Sequence, residues 1–267
     1  MAIPENGFSA VSQLIRTMKG RSRSALVQAD DGDAYVVKFA RSSYEANLPF
    51  NESAGNALYR SLGMAVPAWR PILVTDSFLD RYPEAWIQTP GGMVRPEAGL
   101  CFGSRLLQSP GARLLELLPA CSHQCISNRL CFWLAWVIDI CAENTNNRQA
   151  IFLEREDGWL DTFFIGHAHL FGGTNGENSP YYLASRYLDP RIYGSLSSDF
   201  ARKILETVRE LNCEALRRKI HCLPEEWKAD STMYRFERAL CRLSSRGFVE
   251  NTLHLLFQHS MLASHAE

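Results

Sequence analysis

Short apolar runs separated by polar turns dominate the first part of the chain. Runs of this length, rich in β-branched and aromatic residues and bounded by Gly, Asp or Pro, are typical of strands. Residues 30–33 place Gly among aspartates and predict the turn of a hairpin. Residues 8–18 carry apolar side chains at near-helical spacing, which fits either a short helix or an edge segment. The predicted strands are residues 25–29, 34–39, 69–74 and 100–106.

Helical periodicity replaces this pattern further along the chain. Residues 51–62 are predicted to form a helix that Asn51 and Glu52 open and Gly63 ends. The composition changes near residue 110, so we predict a β-rich lobe (1–110) and a helical lobe (111–267). The predicted fold class is therefore α+β with two lobes. The helices predicted for the second lobe are residues 130–142, 200–211, 224–227, 233–245 and 248–262.

Two polar loops lie next to short apolar segments in the second lobe. The first, residues 143–149, follows an apolar helix that only Asp139 interrupts. The second, residues 166–173, follows the second of two short predicted strands. A hairpin made of these strands would bring both loops to one end. Loops held by rigid apolar elements are where active sites are usually built, so this pair is the candidate site.

The overall composition narrows the classes of function. Net charge is −1, with 28 basic and 29 acidic residues, so no global field favours a nucleic acid or an anionic membrane. The apolar run 130–142 is shorter than the roughly 20 residues that a membrane span needs. Eight cysteines without a CxxC pair, and an N-terminus without an apolar signal core, predict a reducing cytoplasm.

Several residues along the chain are candidates for binding a ligand or a metal ion. Lys38 is a charge within an apolar strand, and it fits either the solvent face or a pair with Glu52 across a cleft. His167 and His169 could ligate a metal, but two histidines without a partnered third ligand are a weak signal. Residues 121–125 contain two cysteines and a histidine, without the second cluster that a zinc site usually has.

Several segments, taken in order, resemble the HipA-like kinases, a branch of the protein-kinase-like fold. The segments are GRSRS (20–24), YVVKF (35–39), NE (51–52), LGMAVP (62–67), NTNNRQAIF (144–152), FIGHAHLFGG (164–173) and YLDP (187–190). Each segment alone is a weak signal, but their occurrence in the same order as in the family is specific. The resemblance implies a two-lobed kinase-like fold and a bacterial cytoplasmic protein.

The resemblance also assigns roles to residues. It implies that Lys38 binds the phosphates of ATP and that Glu52 holds this lysine. The turn that contains Gly20, Ser22 and Ser24 would cradle phosphate oxygens with its backbone N–H groups. ATP and Mg²⁺ are the implied cofactors, and an unidentified protein is the implied substrate or partner. The implied residues of the two loops are Asn146, Arg148, Gln149, His167 and His169.

The two loops differ from the family pattern at the positions of its proton-accepting and magnesium-binding aspartates. Asn146 stands where the family has the aspartate that accepts the substrate proton, and Gly166 stands where it has the aspartate that binds magnesium. An amide is not a general base at neutral pH, and glycine has no side chain. We therefore expect an impaired kinase, a pseudokinase that still binds ATP. The alternatives are an active kinase with a substitute acid and a scaffold that binds no nucleotide. The candidate substitute acids are Asp139, Glu143 and Asp161.

Overall fold

A closed barrel of five strands forms the N-terminal part of the chain. The computed structural model describes residues 7–18, 24–39, 45–89, 91–119, 122–174, 185–194 and 196–264. The barrel strands are β1 (Ser9–Thr17), β2 (Ala25–Ala29), β3 (Ala34–Lys38), β4 (Trp69–Val74) and β7 (Gly99–Arg105). Their order is β1-β2-β3-β7-β4, with β1 parallel to β4 and the other neighbours antiparallel. The four strands predicted from the sequence are confirmed.

The segment 8–18 is a strand, so the helix considered for it is wrong. Its buried apolar residues Val11 and Leu14 are three positions apart, a spacing that resembles a helix. The pairing of β1 with β2 shifts register twice, between Val11 and Gln13 and between Leu14 and Arg16. Each shift adds one residue to the strand, and a bulge of this kind turns a two-residue alternation into a three-residue one.

The first helix begins earlier than its polar residues suggested. Helix α1 (Leu48–Ser61) has a proline, Pro49, in its first turn, where the missing backbone N–H costs nothing. Asn51 and Glu52 therefore lie beyond the helix opening, and the prediction that they open it is wrong. Gly63, with φ +74°, follows the helix end as predicted.

Smaller elements between β4 and β7 were not predicted. Helix α2 (Asp76–Arg81) begins after Thr75, whose side chain accepts a hydrogen bond from the Phe78 N–H at 3.2 Å. Strands β5 (Ile87–Thr89) and β6 (Gly92–Val94) form a separate two-stranded ribbon.

In its described residues, the second part of the chain combines a small sheet with five α-helices. Strands β8 (Arg113–Leu115), β9 (Gln149–Glu154) and β10 (Leu160–Ile165) pair in the order β10-β9-β8. Helix α5 is the only one of the five without a sequence prediction. None of the helices among the described residues is long and apolar enough to cross a membrane. The helices are α3 (Leu130–Cys141), α4 (Ser198–Arg209), α5 (Cys213–His221), α6 (Asp230–Ser244) and α7 (Arg246–Ser264).

Two hydrophobic clusters form the interior, and α1 belongs to the larger one. The smaller cluster fills the barrel. The larger one surrounds α3, which is buried on all sides, and includes Phe50, Leu58 and Tyr59 from α1. The helix between β3 and β4 is thus packed into the core of the helical part. A strand-rich first part and a helical second part confirm the α+β class, whereas the lobe boundary near residue 110 stays a prediction.

Candidate functional site

Two loops meet at one end of the β9–β10 hairpin. We call residues 143–148 the first loop and residues 166–173 the second loop. Backbone hydrogen bonds join them: the Thr145 N–H donates to the His169 carbonyl at 3.0 Å, and the Gly172 N–H donates to the Glu143 carbonyl at 3.1 Å. The hairpin register, which ends with Ile165 opposite Gln149, places both loops side by side. The predicted neighbourhood of the two loops is therefore present.

Lys38 and Glu52 form an ion pair between the barrel and α1. The Lys38 ammonium donates to Glu52 Oε1, and the side chains are only 13% and 2% exposed. Lys38 therefore does not lie on the solvent face of its strand. A lysine on a strand held by a glutamate on the next helix can present its charge to a phosphate. The nucleotide-binding role of both residues stays a prediction.

Glu52 also holds the second loop. Its Oε2 accepts a hydrogen bond from the His167 N–H at 3.0 Å, and its Oε1 accepts one from the Ala168 N–H at 3.0 Å. The neighbouring Asn51 donates through Nδ2 to the carbonyls of Ala168 and Leu170, at 2.8 and 2.9 Å. Both polar residues of α1 are buried. They connect the helix to backbone atoms of the loop rather than to its side chains.

Gly55 allows α1 to approach the second loop closely. A Cβ atom at this position would lie 2.5 Å from His167 Cβ and 2.7 Å from Leu170 Cδ1. Real Cβ contacts are longer than this, so only glycine fits without a shift of the loop. Sequence reasoning did not single out Gly55, and it named Asn51 only together with Glu52, as the pair that opens the helix. No local pattern marks Gly55, because the atoms it approaches belong to a loop far later in the chain.

A buried charge network lies below the first loop. Arg148 donates to both carboxylate oxygens of Asp139, at 2.6 and 2.9 Å, and these side chains are 1% and 0% exposed. The Tyr59 hydroxyl donates to the same carboxylate at 2.7 Å. Burial, followed by the nearby Asp139 charge, raises the pKa of Tyr59 well above its usual value, although the Arg148 charge opposes this, so the hydroxyl keeps its proton. Asp139 is thus a fully engaged structural acid.

His167 is a buried, neutral histidine between two cations. Its Nδ1 lies 3.2 Å from Arg148 Nη1, which can only donate. The Nδ1 therefore accepts this bond, and the ring proton is on Nε2. Burial, and after it the charges of Arg148 and Lys38, hold the pKa of His167 well below its usual value. Among the described residues, no group of three His, Cys, Asp or Glu side chains could hold a metal with His167 or His169.

The two positions that depart from the family pattern lie in the two loops at this end of the hairpin. Asn146 uses its Oδ1 to accept a hydrogen bond from the Asn147 N–H at 2.9 Å. Gly166 has φ +71°, in the left-handed region, and a Cβ there would lie 2.4 Å from Gln149 Oε1. The Gln149 side chain thus extends over the space beside Gly166. Neither Asn146 nor Gly166 brings a charge to the site.

The other candidate acids are engaged or distant. Glu143, which has φ +51°, forms ion pairs with Arg238 and, at 2.8 Å, with Arg242 on α6. Asp161 pairs with Leu153 toward the opposite end of the hairpin, and it accepts a hydrogen bond from Ser127 Oγ at 3.1 Å. Arg238 and Arg242 were not predicted as partners of Glu143, because no local sequence pattern indicates a contact between α6 and a loop so distant in sequence.

The predicted phosphate turn is described only at its last residue. Gly20 and Ser22 lie outside the described residues. Ser24 is buried, and its carbonyl accepts a hydrogen bond from the Met18 N–H at 2.8 Å. The structure therefore describes the base of this turn, where β1 and β2 meet, and the role of the turn stays a prediction.

Comparison with known proteins relates the chain to protein kinases by structure. No family model and no curated protein matches its sequence. The structure of the Golgi casein kinase with Mn/ADP bound matches 91% of this chain and 73% of its own, with 14% identity and a TM-score of 0.50. The Helicobacter pylori proinflammatory kinase CtkA matches 90% of this chain and 94% of its own, with 12% identity and a TM-score of 0.57. The fold that the resemblance implied is thereby confirmed: the chain is a divergent example of the protein-kinase-like fold.

Proposed function

We propose that the chain is a pseudokinase, a kinase-fold binding module that does not transfer phosphoryl groups. The observation that carries this proposal is that the family's acids are missing from the two loops and that the neighbouring carboxylates are already paired. The positions of the family aspartates are Asn146 and Gly166, and the neighbouring carboxylates of Glu52, Asp139 and Glu143 each already have partners.

The chemistry of phosphoryl transfer explains why these partners matter. A kinase orients the attacking hydroxyl with a carboxylate and offsets phosphate charge with metal ions held by further acids. Asp139 is buried between Arg148 and Tyr59, where no substrate hydroxyl reaches it. Glu143 is held by two arginines, Arg238 and Arg242, so its carboxylate is already engaged in ion pairs. The alternative of an active kinase with a substitute acid therefore has little support.

The donor set does not fit magnesium, but it does fit a phosphate. Mg²⁺ prefers carboxylate oxygens and near-octahedral geometry, and the acids near the loops are committed to arginine, lysine or backbone N–H groups. Lys38, by contrast, is a cation whose direction is set by Glu52. We infer that Lys38 holds a phosphate of ATP or ADP when such a nucleotide is bound.

A scaffold that binds no nucleotide is the second candidate. It is favoured by the way in which α1 holds the second loop, because Asn51 and Glu52 supply this support without any ligand. In either case the expected partner is another protein. The cysteines without a CxxC pair and the resemblance to HipA-like kinases favour a bacterial cytoplasm.

The proposal is tested by measuring phosphotransfer directly. Purified protein is incubated with radiolabelled ATP and Mg²⁺, alone and with generic protein substrates. We expect no incorporation that depends on Lys38, as judged by comparing wild type with Lys38→Ala and with Lys203→Ala. Lys203 is an exposed lysine on α4 and serves as the matched control. Incorporation that is lost in Lys38→Ala but kept in Lys203→Ala would overturn the proposal.

A further inference from the structure

The charges around the two loops leave a surplus of positive charge. Among the described residues, four cations meet three carboxylates there: Lys38 with Glu52, Arg148 with Asp139, and Arg238 and Arg242 with Glu143. The two aspartates of the family pattern would reverse this balance, but an amide and a glycine stand in their places. The site therefore attracts anions without any help from a metal ion.

The positive charge lies on both sides of the position where the family binds its metal. His167, directly after Gly166, has its ring nitrogen 3.2 Å from Arg148. Its backbone N–H donates to the Glu52 carboxylate that also holds Lys38. Arg148 and Lys38 are paired with Asp139 and Glu52, so a divalent cation beside Gly166 would find, among the described residues, no carboxylate free of a partner. The missing ligands act against its binding.

We propose that this site binds the phosphates of a nucleoside di- or triphosphate without a divalent metal, an inference that rests on the proposed nucleotide-binding pseudokinase. In a kinase, Mg²⁺ bridges phosphate oxygens and protein carboxylates. Here the ion has no carboxylate to bridge to, and Lys38 meets the phosphate directly. Mg²⁺ also reduces the charge of the nucleotide, and so it weakens the attraction to Lys38.

The first experiment compares nucleotide binding with and without metal. ATP and ADP are titrated by calorimetry in millimolar MgCl2 and in EDTA, with adenosine and pyrophosphate as separate probes. We expect the Kd for ATP in EDTA to be equal to or lower than that in MgCl2. Lys38→Ala should raise it about tenfold or more, because a charge-assisted hydrogen bond is lost. Lys203→Ala should leave it unchanged, and thermal unfolding checks that each variant is folded.

The second experiment restores the family acids. The double variant Asn146→Asp with Gly166→Asp should acquire magnesium dependence, so that MgCl2 lowers its Kd for ATP about tenfold or more. Aspartate tolerates the left-handed backbone of position 166 better than most residues. The atom nearest to its Cβ is the flexible end of the exposed Gln149 side chain, which can move away.

A matched control carries the same two chemical changes elsewhere. Asn251→Asp changes an exposed asparagine of α7, away from both loops. Gly158→Asp introduces the acid at φ +82° in the distant hairpin turn, where a Cβ meets nothing within 4 Å. This control should bind ATP without magnesium dependence, as the wild type does. Equal magnesium responses in the two double variants would overturn the placement of the site.

The remaining outcomes separate this inference from the proposed function. Wild-type binding that requires MgCl2 overturns metal-free binding. Absence of ATP and ADP binding in both conditions, with folded protein, also overturns it and leaves the scaffold. Binding of adenosine as tight as that of ATP overturns recognition through the phosphates. Phosphotransfer that depends on Lys38 overturns the proposed function itself, whatever the calorimetry gives.

Discussion

The protonation state of His167 depends on its burial beside Arg148 and Lys38. Its pKa is lowered in the folded protein, whereas in the unfolded chain it returns to its ordinary value near 6.5. Above this pH the histidine is neutral in both states and costs nothing. As the pH falls below it, the unfolded chain gains a proton that the folded chain does not, and folding stability declines.

We therefore predict an acid-side loss of stability that is specific to His167. Below about pH 6.5, the free energy of unfolding should fall by at most about 1.4 kcal/mol per pH unit through this residue. Urea unfolding of wild type and His167→Gln at a series of pH values would measure it, and the variant should show a shallower decline. His254→Gln, at an exposed position of α7, should behave like the wild type. Equal slopes for wild type and His167→Gln would contradict the prediction.

At the residue scale, the sequence indicated those side chains that contrast with their neighbours. Lys38 was visible as a charge within an apolar strand, and Asp139 as an acid within an apolar helix. The sequence did not indicate that Arg148 is the partner of Asp139, because an arginine in a polar loop is common. Tyr59 gave no signal either, since an aromatic residue on a helix predicts packing and not a hydrogen bond to a buried acid.

At the element scale, the distance between α1 and the second loop depends on one glycine. Replacing a helical glycine by alanine normally stabilises a helix by up to about 1 kcal/mol. At Gly55 the added methyl would collide with His167 and Leu170.

We therefore predict the opposite sign for Gly55→Ala, a loss of about 1–3 kcal/mol from overpacking. Gly247→Ala in α7 is the matched control, because a Cβ there meets nothing within 4 Å. It should be neutral or stabilising. Chemical denaturation of both variants gives the two signs. A stabilised Gly55→Ala protein would mean that α1 and the loop are farther apart than described here.

Periodicity predicted most elements correctly and was wrong where strands are irregular. The bulges of β1 brought Val11 and Leu14 to the same face at a helical interval, so the pattern alone could not separate strand from helix. Helix α1 began earlier than predicted because Pro49 belongs to the first turn and not to the preceding loop. Both errors concern local geometry that apolar spacing does not encode.

At the scale of the whole molecule, α1 joins the two parts of the chain. Phe50 packs edge-on against Phe171 and Phe236, with ring centroids 6.3 Å apart in each case. The ion pair of Glu52 with Lys38 holds the same helix to the barrel. Helix α1 belongs to the first part of the chain, but its apolar side chains are therefore buried only when the second part packs against it.

We predict that a fragment of residues 1–110 does not fold alone. Without the helical part, Phe50, Leu58 and Tyr59 would lose the cluster in which they are buried. The fragment should bind a hydrophobic dye and unfold without a cooperative transition, whereas the full chain should show one. A fragment with a sharp thermal transition would demonstrate that residue 110 separates two independent folding units.

The order of the secondary-structure elements was predictable from the sequence, but the way in which they pack together was not. The order of strands and helices follows from local patterns, and the motif order suggested a kinase-like arrangement. The closure of the barrel by parallel β1 and β4, and the burial of α1 in the helical core, depend on contacts between residues far apart in sequence. Such contacts leave little trace in any single segment.

The contacts from α1 to the second loop have a consequence for how this chain can evolve. Asn51 and Glu52 form hydrogen bonds with carbonyl and N–H groups of the loop backbone, and every amino acid except proline supplies both. The backbone path of the loop is therefore held from the helix, while Ala168 is itself buried and Gly166 keeps a left-handed φ of +71°. Substitutions in the loop can therefore change its side-chain chemistry without removing the contacts that hold its backbone.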